Sequence, residues 1–128
     1  MKKAGIVLGI LVLIGLAAFI KMSDSAQKAL SAMVYEEVDM SQVADGTYYG
    51  EADAGLVYVK AGVTVEDNTI RKIDIIEHRN GLGSKAESIT ESMVAQNSYE
   101  VDGISGATLS SEAIKSAVSK ALKDGYSE

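Results

Sequence analysis

The chain of 128 residues contains no cysteine and no proline. Without cysteine there is no disulfide, no thiolate metal site and no lipobox residue for a lipid anchor, so stability must come from packing. With His78 as its one histidine, the chain also offers little from which to build a zinc site. Without proline the turns depend on Gly, Asn and Asp. There is no Gly-x-Ser-x-Gly elbow, and His78 alone is a poor basis for a Ser-His-Asp type triad, so a self-contained hydrolase is not expected. Bases are scarce after the first 21 residues. Three of the 12 lie at Lys2, Lys3 and Lys21, which leaves nine against 18 acids, a net charge of −9, for the remainder. An acidic domain repels nucleic acid and an anionic bilayer surface, so a nucleic-acid partner is excluded and a basic partner, or none, fits better. The adjacent acids Glu36-Glu37 and Glu66-Asp67 read as solvated turn or helix-end positions.

The start of the chain is rich in apolar residues. An uninterrupted run from Ala4 to Ile20, 17 residues, follows Lys2 and Lys3 and ends at Lys21. At a rise of about 1.5 Å per residue it reaches about 25 Å, enough for a thin bilayer with snorkelling lysines. It is long for a signal-peptide core of about 7–15 residues. The best cleavage candidate, Ser23-Asp24-Ser25, is poor, and the absence of a polar face argues against a buried core helix. Residues 1–22 therefore read as an uncleaved, single-pass transmembrane signal anchor, with residues 4–20 in the lipid bilayer of the cell membrane. The paired lysines place the N-terminus in the cytoplasm and the rest outside.

Residues 23–44 read as a stalk or helical linker, with a moderately helical stretch from Ser23 to Tyr35 and a linker from Val38 to Ala44. Residues 45–128 read as one small domain. Asp45 to Gly50 is a turn leading into a short strand. Leu56 to Val65 is a strand with Gly62 as a candidate bulge, and Glu66-Asp67-Asn68 is a turn. Thr69 to Glu77 is a further strand, paired antiparallel with the previous one. His78 to Ser84 is a Gly-containing loop. Lys85 to Asn97 carries Ala86, Ile89, Met93 and Val94 at helical spacing, Val101 ends a short strand, and a last helix from about Ser110 to Lys123 is stopped by Gly125. This order predicts an α+β domain, a small antiparallel sheet with helices packed on one side, preceded by the N-terminal transmembrane helix.

The most informative segment is Asp102-Gly103-Ile104-Ser105-Gly106-Ala107-Thr108-Leu109-Ser110-Ser111. Small and hydroxyl-bearing residues stand directly ahead of a helical pattern, where free backbone N–H groups and the helix dipole favour an anion. The same residues also suit an ordinary helix cap, which spacing alone favours. Thr108 is a poor nucleophile with nothing in the sequence to activate it.

The run Ser105-Gly106-Ala107-Thr108, preceded by Asp102-Gly103 and followed by Ser111, resembles the flavinylation motif of the FMN-binding domain family. That family includes FMN-carrying subunits of ion-translocating oxidoreductases and extracytoplasmic electron-transfer domains. The likeness extends over roughly Asp45 to Leu122, including Asp45-Gly46-Thr47-Tyr48-Tyr49-Gly50, Val63-Thr64-Val65 and Ile70 to Ile76. It implies that Thr108 receives FMN through a phosphoester bond from a separate flavin transferase that uses FAD and magnesium. Thr108 is then a substrate position and not a catalyst. Asp102, followed by Gly103, would help present the loop to the transferase, or form an Asx-type turn, or do both. Gly106 and Ala107 would keep the loop thin. Ser105, Ser110 and Ser111 would donate to the phosphate, or simply cap the helix.

A second segment, His78-Arg79-Asn80-Gly81-Leu82-Gly83-Ser84-Lys85, is similar to the family's Glu-Thr-Pro-Gly-Leu-Gly-x-Lys loop near the flavin. Gly81, Leu82, Gly83 and Lys85 match, and the Glu-Thr-Pro part does not. Arg79 and Lys85 are candidates to balance phosphate or reduced-flavin charge, or are solvated surface bases. The implied function is a membrane-anchored, extracytoplasmic flavoprotein that passes electrons to membrane or soluble redox partners, a carrier or oxidoreductase subunit more than a stand-alone enzyme. Two other classes remain open at this point: a module that binds FMN or another ligand non-covalently as a sensor, and a cofactor-free surface structural domain.

Overall fold

The computed structural model describes residues 28–55, 57–79 and 84–126. The expected membrane span, residues 4–20, lies outside them. Among the described residues no helix is long and apolar enough to cross a membrane.

Three strands, β1 (Gly46–Asp53), β2 (Tyr58–Glu66) and β3 (Thr69–Arg79), form an antiparallel sheet in the order β1-β2-β3. The expected α+β class therefore holds. β2 and β3 are joined by Asp67 and Asn68, both with positive φ (54° and 58°), the signature of a tight hairpin whose twist matches that of the strands. One face of the sheet is apolar and buried. Gly50 and Ala52 stand opposite Ala61 and Val59, and Val63, Val65 and Ile70 continue the same face. The other face carries Tyr49, Glu51, Lys60 and Lys72, polar or solvent-facing side chains.

Helix α1 (Ile89–Gln96) and the long helix α2 (Thr108–Asp124) cover the buried face. Ile114, Ala117, Val118, Ala121 and Leu122 of α2 and Ile89 and Met93 of α1 are fully buried against the strands. The helical stretch expected over 85–97 is split, with a 3-10 turn (Ser84–Ser88) ahead of α1. Ser88 donates to the Lys85 carbonyl at 2.7 Å and Thr90 to the Glu87 carbonyl at 2.8 Å, side-chain bonds that compete with the regular ladder. α1 ends at Asn97, in the left-handed region, whose side chain accepts from the Ile70 N–H at 2.8 Å and donates to the Asn68 carbonyl at 3.1 Å. Val101 lies in no strand.

The Gly62 expectation is corrected, while Gly125 does end the last helix as expected. Gly62 is no bulge: it pairs in register with Tyr49 and Asp74, and a Cβ there would stand 3.1 Å from the Tyr49 ring. The ladder irregularities fall between Lys60 and Ala61 and between Thr64 and Val65, where β3 carries the extra residues Ile76 and Arg71. Gly125 ends α2 with φ −84°, not in the left-handed region; it is small because the Tyr48 ring lies 2.6 Å from where its Cβ would be.

Residues 34–44, part of the expected stalk or linker, are docked on α2. The Ser116 hydroxyl donates to the Val34 carbonyl, the Glu36 N–H donates to Ser119 Oγ at 3.1 Å, and the Tyr35 hydroxyl donates to Glu112. These bonds account for the buried Ser116 and Ser119 of a helix that otherwise faces an apolar core.

Candidate flavin attachment site

Thr108 is the first residue of α2, two positions earlier than the helix start expected from the sequence. The residue at the cap position is Ala107 (φ −133°, ψ 41°), and no side chain caps the helix. The Ser111 N–H bonds to the Ala107 carbonyl at 2.9 Å. Ahead of it, the N–H groups of Thr108, Leu109 and Ser110 have no helical carbonyl four residues back. The hydroxyls in this segment are thus not spent as an ordinary N-cap. Three backbone donors and the positive end of the helix dipole stand at the residue that bears the candidate hydroxyl.

The approach to Thr108 is a turn closed by the Ala107 N–H donating to the Ile104 carbonyl at 3.0 Å. Gly106, third in that turn, has φ +83°, as a type II turn requires. A Cβ there would meet nothing within 4 Å, so glycine serves the conformation while the outer side of the turn stays open. Ser105, Gly106 and Thr108 are exposed. The hydroxyls of Ser105 and Thr108 make no hydrogen bond among the described residues.

The other two serines are committed elsewhere. Ser111 Oγ accepts from the Ile104 N–H at 2.9 Å and donates to the Ala107 carbonyl at 2.8 Å, stapling the turn from below. Gly103 lies against it, with space for a Cβ only 3.1 Å from Ser111 Cβ. Because Ser111 takes the Ile104 N–H, Asp102 cannot form the expected Asx turn, which would use that same donor; Asp102 is exposed. Ser110 is buried and shares a hydrogen bond of 3.0 Å with His78 Nε2.

His78, a poor basis for a triad by sequence, takes a defined place in the structure. It lies in β3 and not in the expected loop, and its side chain is only 7% exposed. The extra residue Ile76 is the cause. Ile75 pairs with Ala61 and His78 with Val59, so two residues three apart share the buried face, and the imidazole is turned toward α2. Its Nδ1 lies 3.6 Å from Glu87 of the 3-10 turn. His78 therefore ties the second predicted segment to the first. No periodicity in the sequence signals that bulge. Gly81, Leu82 and Gly83 lie outside the described residues. Lys85 is exposed on the 3-10 turn, which rests against α2. Arg79 faces the other side of the sheet, 3.0 Å from Glu77 and 4.5 Å from the centre of the Tyr58 ring, so it is occupied as a surface base.

Glu112, one turn along α2, accepts from Tyr35 and pairs with Lys115 at 3.4 Å. Burial and, next, that bond to Glu112 push the Tyr35 phenol well above the ordinary tyrosine range. Clefts elsewhere include one of about 410 Å³ lined by Tyr49, Glu51, Lys60 and Lys120, to which neither Thr108 nor Ser105 contributes.

Among the described residues, this α+β domain presents a Thr108 hydroxyl without a hydrogen-bond partner beside the first amides of α2, behind a loop without bulk. Residues 54–123 match the FMN-binding domain family, and this chain belongs to it. The match contains Thr108, its turn and His78. No solved structure matches the chain. These residues fit the phosphate of FMN: the helix start offers donors, the turn is thin, and the Thr108 hydroxyl has no hydrogen-bond partner among the described residues.

Proposed function

We propose that this protein is a membrane-anchored, extracytoplasmic flavoprotein that carries FMN on Thr108 through a phosphoester bond and works as an electron carrier. The observation that supports it most is the uncapped start of α2, with the exposed Thr108 hydroxyl as its first side chain. In the proposed modification Thr108 Oγ1 bonds to the FMN phosphorus of FAD. The pyrophosphate P–O bond breaks, AMP leaves, and the hydroxyl proton passes to a base of the flavin transferase, with magnesium supplied there. This chain offers no base within hydrogen-bond reach of Thr108 among the described residues, which suits a substrate position better than a self-modifying one. The attached phosphodiester would then lie against the N–H groups of Thr108, Leu109 and Ser110.

Bound FMN supplies the redox chemistry, while the chain supplies placement and an acidic environment. That environment disfavours an anionic reduced flavin and so lowers its potential. The exposed turn leaves the cofactor open to outer-sphere exchange with membrane or soluble redox partners, and covalent attachment keeps it from being lost outside the cell. The apolar run of residues 4–20 anchors the domain to the membrane.

The test is the intact mass of the protein, under denaturing conditions, after co-expression with a flavin transferase. A gain of FMN less water, mapped to the peptide containing Thr108, is expected. An unmodified mass beside a properly labelled control substrate would overturn the reading. Flavin released on denaturation would point instead to non-covalent binding.

A further inference from the structure

We propose that His78 is a positioning residue for the modification of Thr108, acting through Ser110 as the middle of a Glu87–His78–Ser110 chain; this rests on the reading of Thr108 as the flavin attachment point. The imidazole joins three segments that are distant in sequence. It stands at the end of β3, its Nε2 lies 3.0 Å from Ser110 Oγ in the first turn of α2, and its Nδ1 lies 3.6 Å from Glu87 Oε2. Which ring nitrogen holds the proton of a neutral imidazole is set by what the other one faces. The Glu87 carboxylate favours the proton on Nδ1, so Nε2 accepts from the Ser110 hydroxyl. The Ser110 proton is thereby committed to the ring. What Ser110 offers an incoming phosphate is its backbone N–H.

The chain matters because the turn it holds has no other support of that kind. The first turn of a helix lacks internal acceptors for its N–H groups and frays unless something restrains it. Here no side chain caps it. Ser111 ties it to the preceding loop, and Glu112 ties the next turn to Tyr35. Among the described residues the Ser110–His78 bond is the side-chain hydrogen bond that joins this turn to the sheet. Ser110 is buried and the His78 side chain is only 7% exposed, so the part-buried bond meets little competing water. Thr108, two residues before Ser110, is held at a defined height and angle by that bond. A hydroxyl that must meet phosphorus in line loses rate steeply when its position wanders by even an ångström.

The experiment follows FMN transfer to the full chain, solubilised in detergent, by a flavin transferase with FAD and magnesium, read as intact mass against time over a range of protein concentrations. His78→Ala and Ser110→Ala are expected to slow transfer at saturating protein on the order of tenfold or more, with helical circular dichroism retained. Glu87→Gln, which keeps a polar oxygen facing Nδ1, is expected to slow transfer less than Glu87→Leu. In the unmodified parent, the ¹⁵N shift of His78 Nε2 is expected to show an unprotonated acceptor and to move in Ser110→Ala. Should His78→Ala fail to fold, Ser110→Ala, which removes one oxygen, carries the test. Transfer to Ser110→Ala at the parent rate, or a proton found on Nε2, overturns the positioning role while leaving Thr108 as the attachment point. A parent chain left unmodified beside a labelled control overturns both.

Discussion

Gly50 of β1 lies directly under Ala117 of α2, so close that a Cβ on Gly50 would stand 2.0 Å from the Ala117 carbonyl oxygen and 2.7 Å from the Ala121 nitrogen. Sheet and helix meet here backbone to backbone, with Ala117 and Ala121 as the small residues opposite. Gly50→Ala must push the helix off the sheet. A destabilisation of about 3 kcal/mol is expected from overpacking of this kind, read as a shift of the urea midpoint. An unchanged midpoint would mean that the helix can lift off β1 without loss.

Thr108→Ala should behave in the opposite way. Thr108 is exposed, opens the helix and makes no hydrogen bond among the described residues. Stability should stay within about 0.5 kcal/mol of the parent, while covalent flavin is lost completely. Covalent FMN retained in this variant would move the attachment point elsewhere.

Ser111→Ala removes the one oxygen that both receives the Ile104 N–H and donates to the Ala107 carbonyl. A part-buried donor left unsatisfied costs about 1–3 kcal/mol. The turn from Gly103 to Ala107 should loosen before the rest of the domain. Faster amide exchange at Ile104 and Ala107, with exchange in β2 little changed, is the expected pattern. Uniform exchange across the domain would show that the staple is not local.

Tyr35 predicts an alkaline limit to stability. Its phenol titrates above the ordinary value of 10.0, chiefly through burial and then through Glu112, and Tyr99, stacked on it at 6.4 Å, is shifted the same way by burial. A group with a raised folded-state value holds its proton longer in the folded protein. Its contribution is complete below about pH 10 and is lost as the pH rises through the higher folded value. Unfolding midpoints should fall above that pH, and Tyr35→Phe should flatten the fall. Parallel curves for parent and variant would remove Tyr35 from the alkaline response.

The strands of the hairpin, the turn at Asp67 and Asn68, and the buried face of α2 were legible because each depends on local pattern: alternation, two turn-forming residues, and apolar positions at helical spacing. The burial of Ser116 and Ser119 in α2 was not, since they are satisfied by residues 34 and 36, more than 80 positions earlier. Thr108 and its loop were legible through the motif, yet the identity of the cap was not. Serines suited to capping are drawn away, Ser111 into the turn and Ser110 to His78, so the helix begins behind an alanine.

By itself, then, the sequence determined the class of the fold, the acidic character of the domain, and the small-residue turn ahead of a helix that carries Thr108. Those properties follow from composition and short-range spacing. Only the tertiary structure decided what His78 does. A single extra residue in β3, Ile76, rotates the strand so that the imidazole faces α2. That register is set by pairing with β2 and by packing against the helix, and a one-residue change in pairing reverses which face a side chain occupies.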